Sequence, residues 1–421
     1  MSEFSVNIPK DTIEIKDNSL SFEIKGDPKY GLDKTIINGI RRILLSSLPS
    51  IAFDTNSEKP DLEMVTNNSA LHNEYLLHRL SLIPLYINPD EWNKDLLFKL
   101  DVKNDTSNIK MITAKDFDIY KIKDSVKESG DINEGVNIDN YDLTKKLSDS
   151  EKEKIFKPSI IGNYKSYCIF TELPSKTSDE NTPHIELYGS PSKNYAYKDV
   201  RWQPVSCAVY SFKEDDQLFE KSFREKLKIH NIPKENAEIF RNELKIQEGE
   251  RYFHRDTNLQ PYWYNFKIVS QGYFPPNKSD KGEGLLVRSC NILIELFESI
   301  KDEFKKLLEN EPDCCMSIKQ TDNELIFKII CQGLGDTEGS ILQSHVCNKL
   351  INDDSILSLC GYKRLHPLED IITFTLSLNN KNNVVKLNNI QKINSIVEVL
   401  IQGCNEISLI YQTIKDECSK F

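Results

Sequence analysis

Two long segments in which apolar residues recur at helical spacing constrain the fold of this chain more than any other feature. The first runs from about Gly284 to Leu308, and the second from about Asn389 to Phe421. At 1.5 Å per residue, the first segment spans on the order of 35–40 Å, which is the width of a small domain. Each predicted helix has an apolar stripe along one side, so a sizeable surface must cover it.

Each long helix ends the same order of predicted elements, and this order therefore occurs twice. In the first copy, a hairpin over DTIEIK and SLSFEIKG precedes a helix over LDKTIINGIRRILLSSLPS, and the strand YWYNFKIVSQGYFPP precedes the long helix. In the second copy, a hairpin over CCMSIKQ and ELIFKIICQ is followed by a helix, the strands LCGYKRLHP and DIITFTLSLN, and the long helix. This repetition predicts two modules that bury their long helices against each other. The residues expected at this intramolecular dimerisation contact are Leu293, Leu296, Ile300, Ile396, Leu400 and Ile407.

The stretch from about Pro89 to His254 has a different character. Polar, weakly periodic runs alternate there with short strand patterns such as YKSYCIFTEL, HIELYGS and VSCAVYSF, and one helical pattern, FREKLKIHNIPKENAEIFRNELKIQ, closes it. We therefore predict an α+β protein: a discontinuous dimerisation module at 1–90 and 255–310, a mixed, mostly β insert at 91–254, and a second module at 311–421.

Charge and hydropathy exclude two classes of partner. The formal net charge is −11, and lysines are interleaved with acidic residues, whereas binding to nucleic-acid phosphates needs clustered Lys and Arg. No apolar run reaches the roughly 18–20 residues needed to span a bilayer. The N-terminus lacks the pattern of a signal peptide. The sequence predicts a soluble intracellular protein without direct DNA contact and without a membrane anchor.

The ten cysteines do not have the spacing of a zinc site. A tetrahedral site needs paired ligands, and the only close pair, Cys314 and Cys315, is adjacent. We expect reduced thiols, mostly buried, with a metal site built from distant cysteines as the alternative. We predict neither a metal nor a cofactor.

The stretch NNSALHNEYLLHRLSLIPL concentrates His72, Glu74, His78 and Arg79. A zincin helix needs its two histidines one turn apart, but these are six residues apart and fall on different faces. A general acid–base pair would also need a nucleophile or a phosphate loop nearby. We interpret the stretch as a short helix in which Tyr75, Leu76 and Leu80 pack inward, while His78 and Arg79 bond to backbone or to a neighbour.

Three other features have a structural and a functional interpretation. Arg41 and Arg42 form either a solvated helix edge or bidentate pairs with carboxylates of another protein. The segment GLGDTEG lacks the ending of a P-loop and is interpreted as the turn that begins a helix. Trp202 and Trp263 could stack on bases, but without clustered Lys and Arg nearby we predict core packing for both.

Several segments resemble a known family. NGIRRILLSSLPSIAFD together with NNSALHNEYLLHRLSLIPL resembles the archaeal and eukaryotic counterpart of the bacterial RNA polymerase alpha subunit, which in archaea is the D-type subunit. YNFKIVSQGYFPP and GSPSKNYAYKDVRWQPVSCAVY resemble further parts of the same family. The second copy, with GDTEGSILQSHVCNKL and GYKRLHPLED, resembles the smaller partner, the archaeal L-type subunit, including Tyr362, His366 and Pro367. The residues carrying the first resemblance are Asn38, Arg41, Arg42, Leu44, Pro49 and Ala52, then Asn67, Ser69, Leu71, His72, Glu74, His78, Arg79, Leu80, Ile83, Pro84 and Leu85.

The resemblance implies a non-catalytic assembly subunit of a DNA-directed RNA polymerase. The D-like and L-like partners would be fused in one chain, as in large nucleocytoplasmic DNA viruses, which implies viral transcription in the host cytoplasm and packaging in the virion. The implied partners are the largest and second-largest subunits and small zinc-bearing subunits resembling archaeal N and P. The implied interface with the second-largest subunit consists of Asn38, Arg41, Arg42, His72, Glu74, His78 and Arg79.

The chain departs from the family at two places. The segment LDVKNDTSNIKMI has no cysteine where many relatives carry a zinc loop or an iron–sulfur site, and Cys168 and Cys207 alone cannot complete a tetrahedral site. Asp199 replaces the family's histidine before Trp202. Two other functional classes stay open: a free-standing dimerisation adaptor, and a metal-dependent enzyme with its site between the modules.

Overall fold

The computed structural model describes residues 5–129, 137–177, 182–278, 282–380 and 386–420. The chain divides into two compact units, and each combines segments that are distant in sequence. The first unit comprises Met1–Leu44, Cys207–Val269 and Pro276–Phe421. The second unit comprises Leu45–Ser206 and Ser270–Pro275. The predicted insert at 91–254 has different bounds, and the module boundaries stay a prediction.

The α+β class predicted from the sequence is confirmed. The helices are α1 Lys34–Ser46, α2 Asn73–Ser81, α3 Asp124–Ser129, α4 Asp149–Ile155, α5 Asp216–Ile229, α6 Ala237–Glu248, α7 Leu285–Glu309, α8 Asp336–His345, a π-helix at Val346–Leu350, and α9 Asn389–Cys418. The strands of the first unit and its border are β1 Val6–Asn7, β2 Glu14–Lys16, β3 Ser19–Gly26, β15 Val205–Phe212, β16 Trp263–Ser270, β17 Met316–Gln320, β18 Ile326–Gln332, β19 Leu357–Arg364 and β20 Ile371–Leu378. The strands of the second unit are β4 Pro49–Ala52, β5 Leu62–Asn67, β6 Leu96–Lys103, β7 Lys110–Thr113, β8 Asp118–Ile122, β9 Tyr141–Lys146, β10 Ser159–Ile161, β11 Tyr164–Ser166, β12 Ile169–Leu173, β13 His184–Gly189 and β14 Ser192–Tyr195.

The first unit contains the same sheet topology twice. One sheet has the order β2-β3-β16-β15, with β1 also pairing with β3, and the other has the order β17-β18-β20-β19. In both, a hairpin leads into a short helix, α1 or α8, and a second strand pair leads into a long helix, α7 or α9. We refer to β2, β3, α1, β15, β16 and α7 as the first copy, and to β17 through α9 as the second copy.

Period-2 alternation accounts for the sheets of the first unit. On β3, Leu20, Phe22 and Ile24 are buried while their neighbours are partly exposed. Phe22 lies opposite Phe266 of β16, and the two rings stack with centroids 5.6 Å apart. Such cross-strand aromatic pairs fix the register, because a slip by one residue would move every apolar side chain to the solvent face.

The two long helices pack against each other. The side chain of Asn388 accepts from the Gln391 amide, and the Gln391 side chain accepts from the Asn388 amide, so a capping box begins α9. Asn310, in the left-handed region at φ 53°, ends α7. Among the residues predicted at the dimerisation contact, Leu293, Ile300, Ile396, Leu400 and Ile407 are buried, and Leu296 is half-buried.

The second unit is built around a five-stranded sheet of order β5-β13-β6-β8-β9. Its core is rich in phenylalanine: Phe98 makes edge contacts with Phe53 and Phe156, and Phe117 makes one with Phe170. Leu76 and Leu80 of α2 belong to the same core. The unit therefore begins well before residue 91, because β4, β5 and α2 bury their apolar side chains within it.

One predicted helix is two helices. α5 ends at Ile229, Asn231 has a left-handed backbone at φ 50°, and Pro233 precedes the start of α6. Phe219 and Phe223 of α5 pack with Leu244 of α6, so the two helices share a small apolar cluster. Among the helices of the described part of the chain, none combines the length and the apolar composition of a membrane span.

Candidate assembly interface

Tyr411 of α9 connects the second copy to the first. Its side chain is completely buried, its ring stacks on Phe297 of α7 with centroids 6.3 Å apart, and its hydroxyl donates to the backbone carbonyl oxygen of Ile36 at 3.2 Å. Burial raises the pKa of the Tyr411 phenol well above its ordinary value. The phenol is therefore a neutral donor at physiological pH, and a buried polar group of this kind is costly to leave unpaired.

Gly39 allows α1 to approach this tyrosine. A Cβ at residue 39 would lie 2.6 Å from the Tyr411 hydroxyl oxygen and 2.8 Å from Cδ1 of Ile341 on α8. Both distances are shorter than van der Waals contact, so with any other residue at position 39 either α1 or the side chains of Tyr411 and Ile341 would have to shift. Helix packing this close is a common reason for glycine inside a helix, where it otherwise costs stability.

Asp33 contacts both copies with one carboxylate. Its Oδ1 accepts from the Thr35 amide at 2.8 Å and from the Thr35 hydroxyl at 2.9 Å, which caps the start of α1. Its Oδ2 accepts from the Ser344 hydroxyl at 2.5 Å and from the Asn348 side-chain amide at 3.0 Å. Helix initiation in the first copy and attachment of the second copy therefore depend on the same side chain.

Lys349 adds a further bond between the copies. Its ammonium donates to the backbone carbonyl oxygen of Tyr30 and lies 5.6 Å from the centroid of the Tyr30 ring. The turn that presents this carbonyl is held by Asp27, whose carboxylate accepts from the amides of Lys29 and Tyr30. We call the set of contacts between the copies the seam. Its residues are Tyr30, Asp33, Ile36, Gly39, Phe297, Ile341, Ser344, Asn348, Lys349 and Tyr411.

The α1 residues predicted at a partner interface lie close to the seam. A cavity of about 90 Å³ opens between α1 and α8, and Asn38 and Arg42 line its α1 side. Arg41 is half-buried, and its Nε donates to Oδ1 of Asn38 at 2.8 Å. Arg42 is exposed and interacts electrostatically with Tyr362 of β19. Burial is the main cause that raises the pKa of Tyr362. Part of this patch thus faces the second copy.

The α2 residues predicted at the same interface belong to the second unit. His72 precedes the first turn of α2 without a capping bond from its side chain, and His72, Glu74 and His78 are exposed. Arg79 is half-buried, and its Nε donates to the backbone carbonyl oxygen of Phe170 at 2.9 Å. The first three side chains are therefore accessible, whereas Arg79 attaches α2 to β12.

The expected orientation of Tyr75 is wrong. Leu76 and Leu80 are fully buried, as expected for residues one turn apart, but Tyr75 is 54% exposed. Residues 75 and 76 differ by about 100° around a helix, so they cannot share one buried face. Tyr75 thus stands among the exposed residues of α2, and Leu82, just beyond the helix, is also exposed.

The expectation that both tryptophans lack basic neighbours is wrong, because Arg201 lies 5.5 Å from the centroid of the Trp202 ring and two lysines lie near Trp263. Trp202 is buried, and its indole donates to the Ser192 carbonyl oxygen at 3.2 Å. Trp263 is half-buried on β16, with the ammonium groups of Lys25 and Lys213 at 4.1 and 5.9 Å from its ring centroid. Strand pairing brings residues together here that lie far apart in the sequence.

One group in the described residues has donors suited to a metal ion. Asp101 of β6 and His184 and Glu186 of β13 place their ligand atoms within 4.8 Å of one another. However, Nε2 of His184 lies 2.9 Å from the Asp101 carboxylate, and the Lys99 ammonium lies 3.0 Å from that of Glu186. Glu186 thus already pairs with a lysine, and of the three possible ligands only Asp101 is exposed. The sequence analysis missed the group because the register of β6 against β13 creates it.

All ten cysteines are free thiols. Burial raises the pKa of Cys290, Cys331 and Cys404 to about 12, which keeps these thiols protonated and unreactive. Cys168 and Cys315 are exposed, so the expectation of buried thiols is wrong for these two cysteines. Cys207, Cys314 and Cys347 are half-buried.

Comparison with known proteins relates this chain to a protein family. Residues 30–337 match the RNA polymerase Rpb3/Rpb11 dimerisation domain. The chain is 28% identical over 218 residues to the DNA-directed RNA polymerases I and III subunit rpac1 of Dictyostelium discoideum, which covers 50% of this chain and 54% of that protein. It is 34% identical over 86 residues to the human subunit RPAC1, covering 20% of this chain and 22% of the relative. It is 33% identical over 85 residues to subunit Rpo3 of Pyrococcus furiosus, covering 20% and 28%.

The matched regions therefore span about half of the Dictyostelium protein and about a quarter of the other two relatives. The family match is more extensive, since it runs from the start of the seam in the first copy into α8 of the second copy. Because this match covers more than half of the residues, the chain belongs to the family of the RNA polymerase Rpb3/Rpb11 dimerisation domain.

Proposed function

We propose that this chain is a non-catalytic assembly subunit of a DNA-directed RNA polymerase, and that it supplies both a D-like and an L-like half from one polypeptide. The single observation that carries the proposal is the repeated sheet topology, with α7 of the first copy packed against α9 of the second. A fused heterodimer of related subunits would have this arrangement. The family membership and the resemblance to the relatives described above support the connection to transcription.

Fusion gives a physical advantage to such a pair. α7 ends at Glu309 and β17 begins at Met316, so the connection between the copies is short. A short linker replaces an encounter between two chains by an intramolecular one, at an effective concentration of roughly millimolar. The second copy thus occupies the dimerisation surface of the first without depending on the concentration of a separate partner.

We further propose that two patches bind the second-largest polymerase subunit. One patch is Asn38, Arg41 and Arg42 on α1, and the other is His72, Glu74, His78 and Arg79 at α2. The exposure of His72, Glu74 and His78, beside exposed Tyr75, supports the second patch, because tyrosine is enriched in protein interfaces and polar side chains form their rim. Exposure of Arg42 supports the first patch.

The proposal also includes further polymerase subunits as partners and a cellular location. The largest subunit and small zinc-bearing subunits resembling archaeal N and P would complete the assembly. A fused D-like and L-like chain is similar to what large nucleocytoplasmic DNA viruses carry, so we place its function in viral transcription, in the host cytoplasm, with packaging in the virion.

Affinity purification of the tagged chain from its native source, followed by mass spectrometry, tests the proposal. We expect the largest and second-largest polymerase subunits in near-stoichiometric amounts and no separate L-like subunit. Purification without any large polymerase subunit would instead support a free-standing dimerisation adaptor. Activity of the purified chain alone that a chelator abolishes would support a metal-dependent enzyme.

A further inference from the structure

Cys347 and Cys360 of the second copy lie against each other where the π-helix packs on β19. The neutral Cys347 thiol donates to the backbone carbonyl oxygen of Cys360, with the sulfur 3.0 Å from that oxygen. The two side chains are also close enough for one thiol to hydrogen-bond to the other. Cys347 is half-buried and Cys360 is 1% exposed, so solvent reaches this pair from one side only.

The position of this pair connects it to the seam. Cys347 directly precedes Asn348 and Lys349, whose side chains bond to Asp33 and Tyr30 of the first copy. A π-helix is a rare backbone form that occurs mostly as a single turn, and it is frequent at functional sites. Here it places a reactive side chain toward the sheet while the two following residues bond across the seam.

We propose that Cys347 and Cys360 are an oxidation site, at which a peroxide converts the two thiols into a disulfide that ties the π-helix to β19. The cross-link would restrain the segment that carries Asn348 and Lys349, and so hold the second copy on the first more firmly. This inference concerns the chain itself and does not depend on its place in a polymerase.

The chemistry balances with hydrogen peroxide as the oxidant. The Cys347 thiolate attacks one peroxide oxygen, the O–O bond breaks, and a sulfenic acid and hydroxide form; the hydroxide takes up the proton that Cys347 had released and becomes water. The Cys360 sulfur then attacks the sulfenic sulfur, the S–O bond breaks, the S–S bond forms, and the Cys360 proton leaves with the hydroxyl as a second water. The two cysteines lose two electrons in total, and the peroxide accepts them.

The roles of the two sulfurs follow from their environments. When the Cys360 thiol acts as the donor, this hydrogen bond lowers the pKa of Cys347 and favours the thiolate on Cys347 rather than on Cys360. The same hydrogen bond, together with burial, raises the pKa of Cys360. The accessible sulfur is thus the nucleophile toward peroxide, and the buried sulfur is the resolving thiol, as in redox-sensitive cysteine pairs.

Peroxide treatment of the reduced, purified full-length chain tests the site. The remaining thiols are then blocked with N-ethylmaleimide. Relative to the blocked chain that was not oxidised, we expect two fewer maleimide additions and a further loss of about 2 Da from the two hydrogens removed. Non-reducing trypsin digestion then separates the two cysteines. Cleavage after Lys328, Lys349 and Lys363 gives peptide 329–349, with Cys331 and Cys347, and peptide 350–363, with Cys360. Fragment spectra should assign the bond to Cys347 and Cys360.

Hydrogen exchange of the same samples measures the consequence for the seam. Oxidation should slow exchange at residues 344–350 several-fold, because local opening of the π-helix becomes restricted. Cys347→Ser and, independently, Cys360→Ala should abolish both the cross-link and the added protection. Cys315→Ser, which removes an exposed thiol elsewhere, should change neither. The proposal is overturned if Cys347 is recovered as a sulfinic acid or a blocked thiol beside a blocked Cys360, or if Cys360 pairs with Cys331.

Discussion

The hydroxyl oxygen of Tyr411 lies 2.6 Å from the position that a Cβ on Gly39 would occupy. The two residues belong to different copies of the repeated topology, and the missing side chain on α1 is matched by the buried phenol on α9. A tyrosine that donates to a helix carbonyl needs that backbone to be close, and glycine is the residue that permits this approach. The seam therefore depends on the absence of a side chain at residue 39.

Gly39→Ala tests this relationship. Alanine would ordinarily stabilise a helix interior by roughly 0.5–1 kcal/mol relative to glycine. Here the added methyl must displace Tyr411 or Ile341, and overpacking of this kind costs about 1–3 kcal/mol, so we expect a net loss of stability. Urea denaturation of the full-length chain measures the change.

Two matched variants sharpen this test. Gly249→Ala at the end of α6 meets only Cγ of Lys245 at 3.5 Å, so it should be neutral or stabilising. Tyr411→Phe removes the oxygen nearest to residue 39, and the double variant should lose less than the sum of the two single variants. Strict additivity would show that residues 39 and 411 are not coupled.

Asp33→Ala should cost more than the loss of a helix cap. Asp215 provides the control, because it caps α5 by accepting from the amides of Gln217 and Leu218. Loss of an N-cap typically costs about 1 kcal/mol. Asp33→Ala also leaves Ser344 and Asn348 without their charged acceptor, and such bonds contribute roughly 1.5–3 kcal/mol each.

The two variants should also differ in which segments of the chain become less stable. Hydrogen exchange in Asp33→Ala should increase at both α1 and the π-helix, whereas Asp215→Ala should affect α5 and its surroundings. Equal destabilisation by the two variants, with exchange changes confined to α1 in Asp33→Ala, would mean that the bonds across the seam contribute nothing.

The sequence predicted those parts of the fold that depend on local patterns. The apolar stripes of α7 and α9 are visible because a buried helix face repeats every three or four residues, and the hairpins are visible because one face of each strand alternates. The repeat of the topology followed from their order. The break between α5 and α6 was accessible too, since Pro233 cannot continue a helix, but the apolar spacing on both sides obscured it.

The seam and the other interactions between distant residues could not be predicted in this way. The bond between Asp33 and Ser344 joins positions 311 residues apart. Likewise, Lys25 reaches Trp263 only because β3 pairs with β16, and Asp101 lies opposite Glu186 only because of strand register. No local periodicity contains such pairings. Tyr75 was misplaced for a different reason: aromatic character was given more weight than its angular position on α2.

The contact between His345 and Glu406 predicts a pH dependence. Nε2 of His345 lies 2.8 Å from the Glu406 carboxylate, and this hydrogen bond is the main cause that lowers the pKa of Glu406. A carboxyl with a lowered pKa in the folded state stabilises the fold above its unfolded pKa of about 4.3. That stabilisation is lost as the pH falls through the lower folded pKa.

Glu406→Gln should therefore lower the free energy of unfolding at pH 6 but have little effect near the acid end of the titration. Glu398→Gln, an exposed change on the same helix, should have no such pH-dependent effect. Thermal unfolding across this pH range measures both variants. An equal shift for Glu406→Gln at every pH would contradict a role for the carboxylate charge.

The proposed docking patch on α2 predicts a loss of assembly without a loss of folding. Glu74→Arg combined with His78→Glu changes the charge at two exposed positions. The free energy of unfolding should therefore change by no more than about 0.5 kcal/mol. Reversal of charges that pair across an interface typically costs roughly 2–5 kcal/mol of binding. Recovery of the second-largest subunit in a pull-down should drop strongly.

Glu243→Arg on α6, another exposed reversal, is the control and should leave that recovery unchanged. Arg41→Glu with Arg42→Glu examines the α1 patch in the same assay, with hydrogen exchange of the π-helix as a check that the seam stays closed. Wild-type recovery by the α2 double variant would remove Glu74 and His78 from the interface.

Severing the connection between the two copies tests the account most directly. A protease site inserted between Glu311 and Cys314 lies in the segment between α7 and β17, outside both helices and strands. After cleavage, native mass spectrometry should show the two pieces as a one-to-one complex that also still recovers the large polymerase subunits. Separation into a soluble, folded, monomeric C-terminal piece on cleavage would contradict the fused pair, and with it the proposed role in assembly.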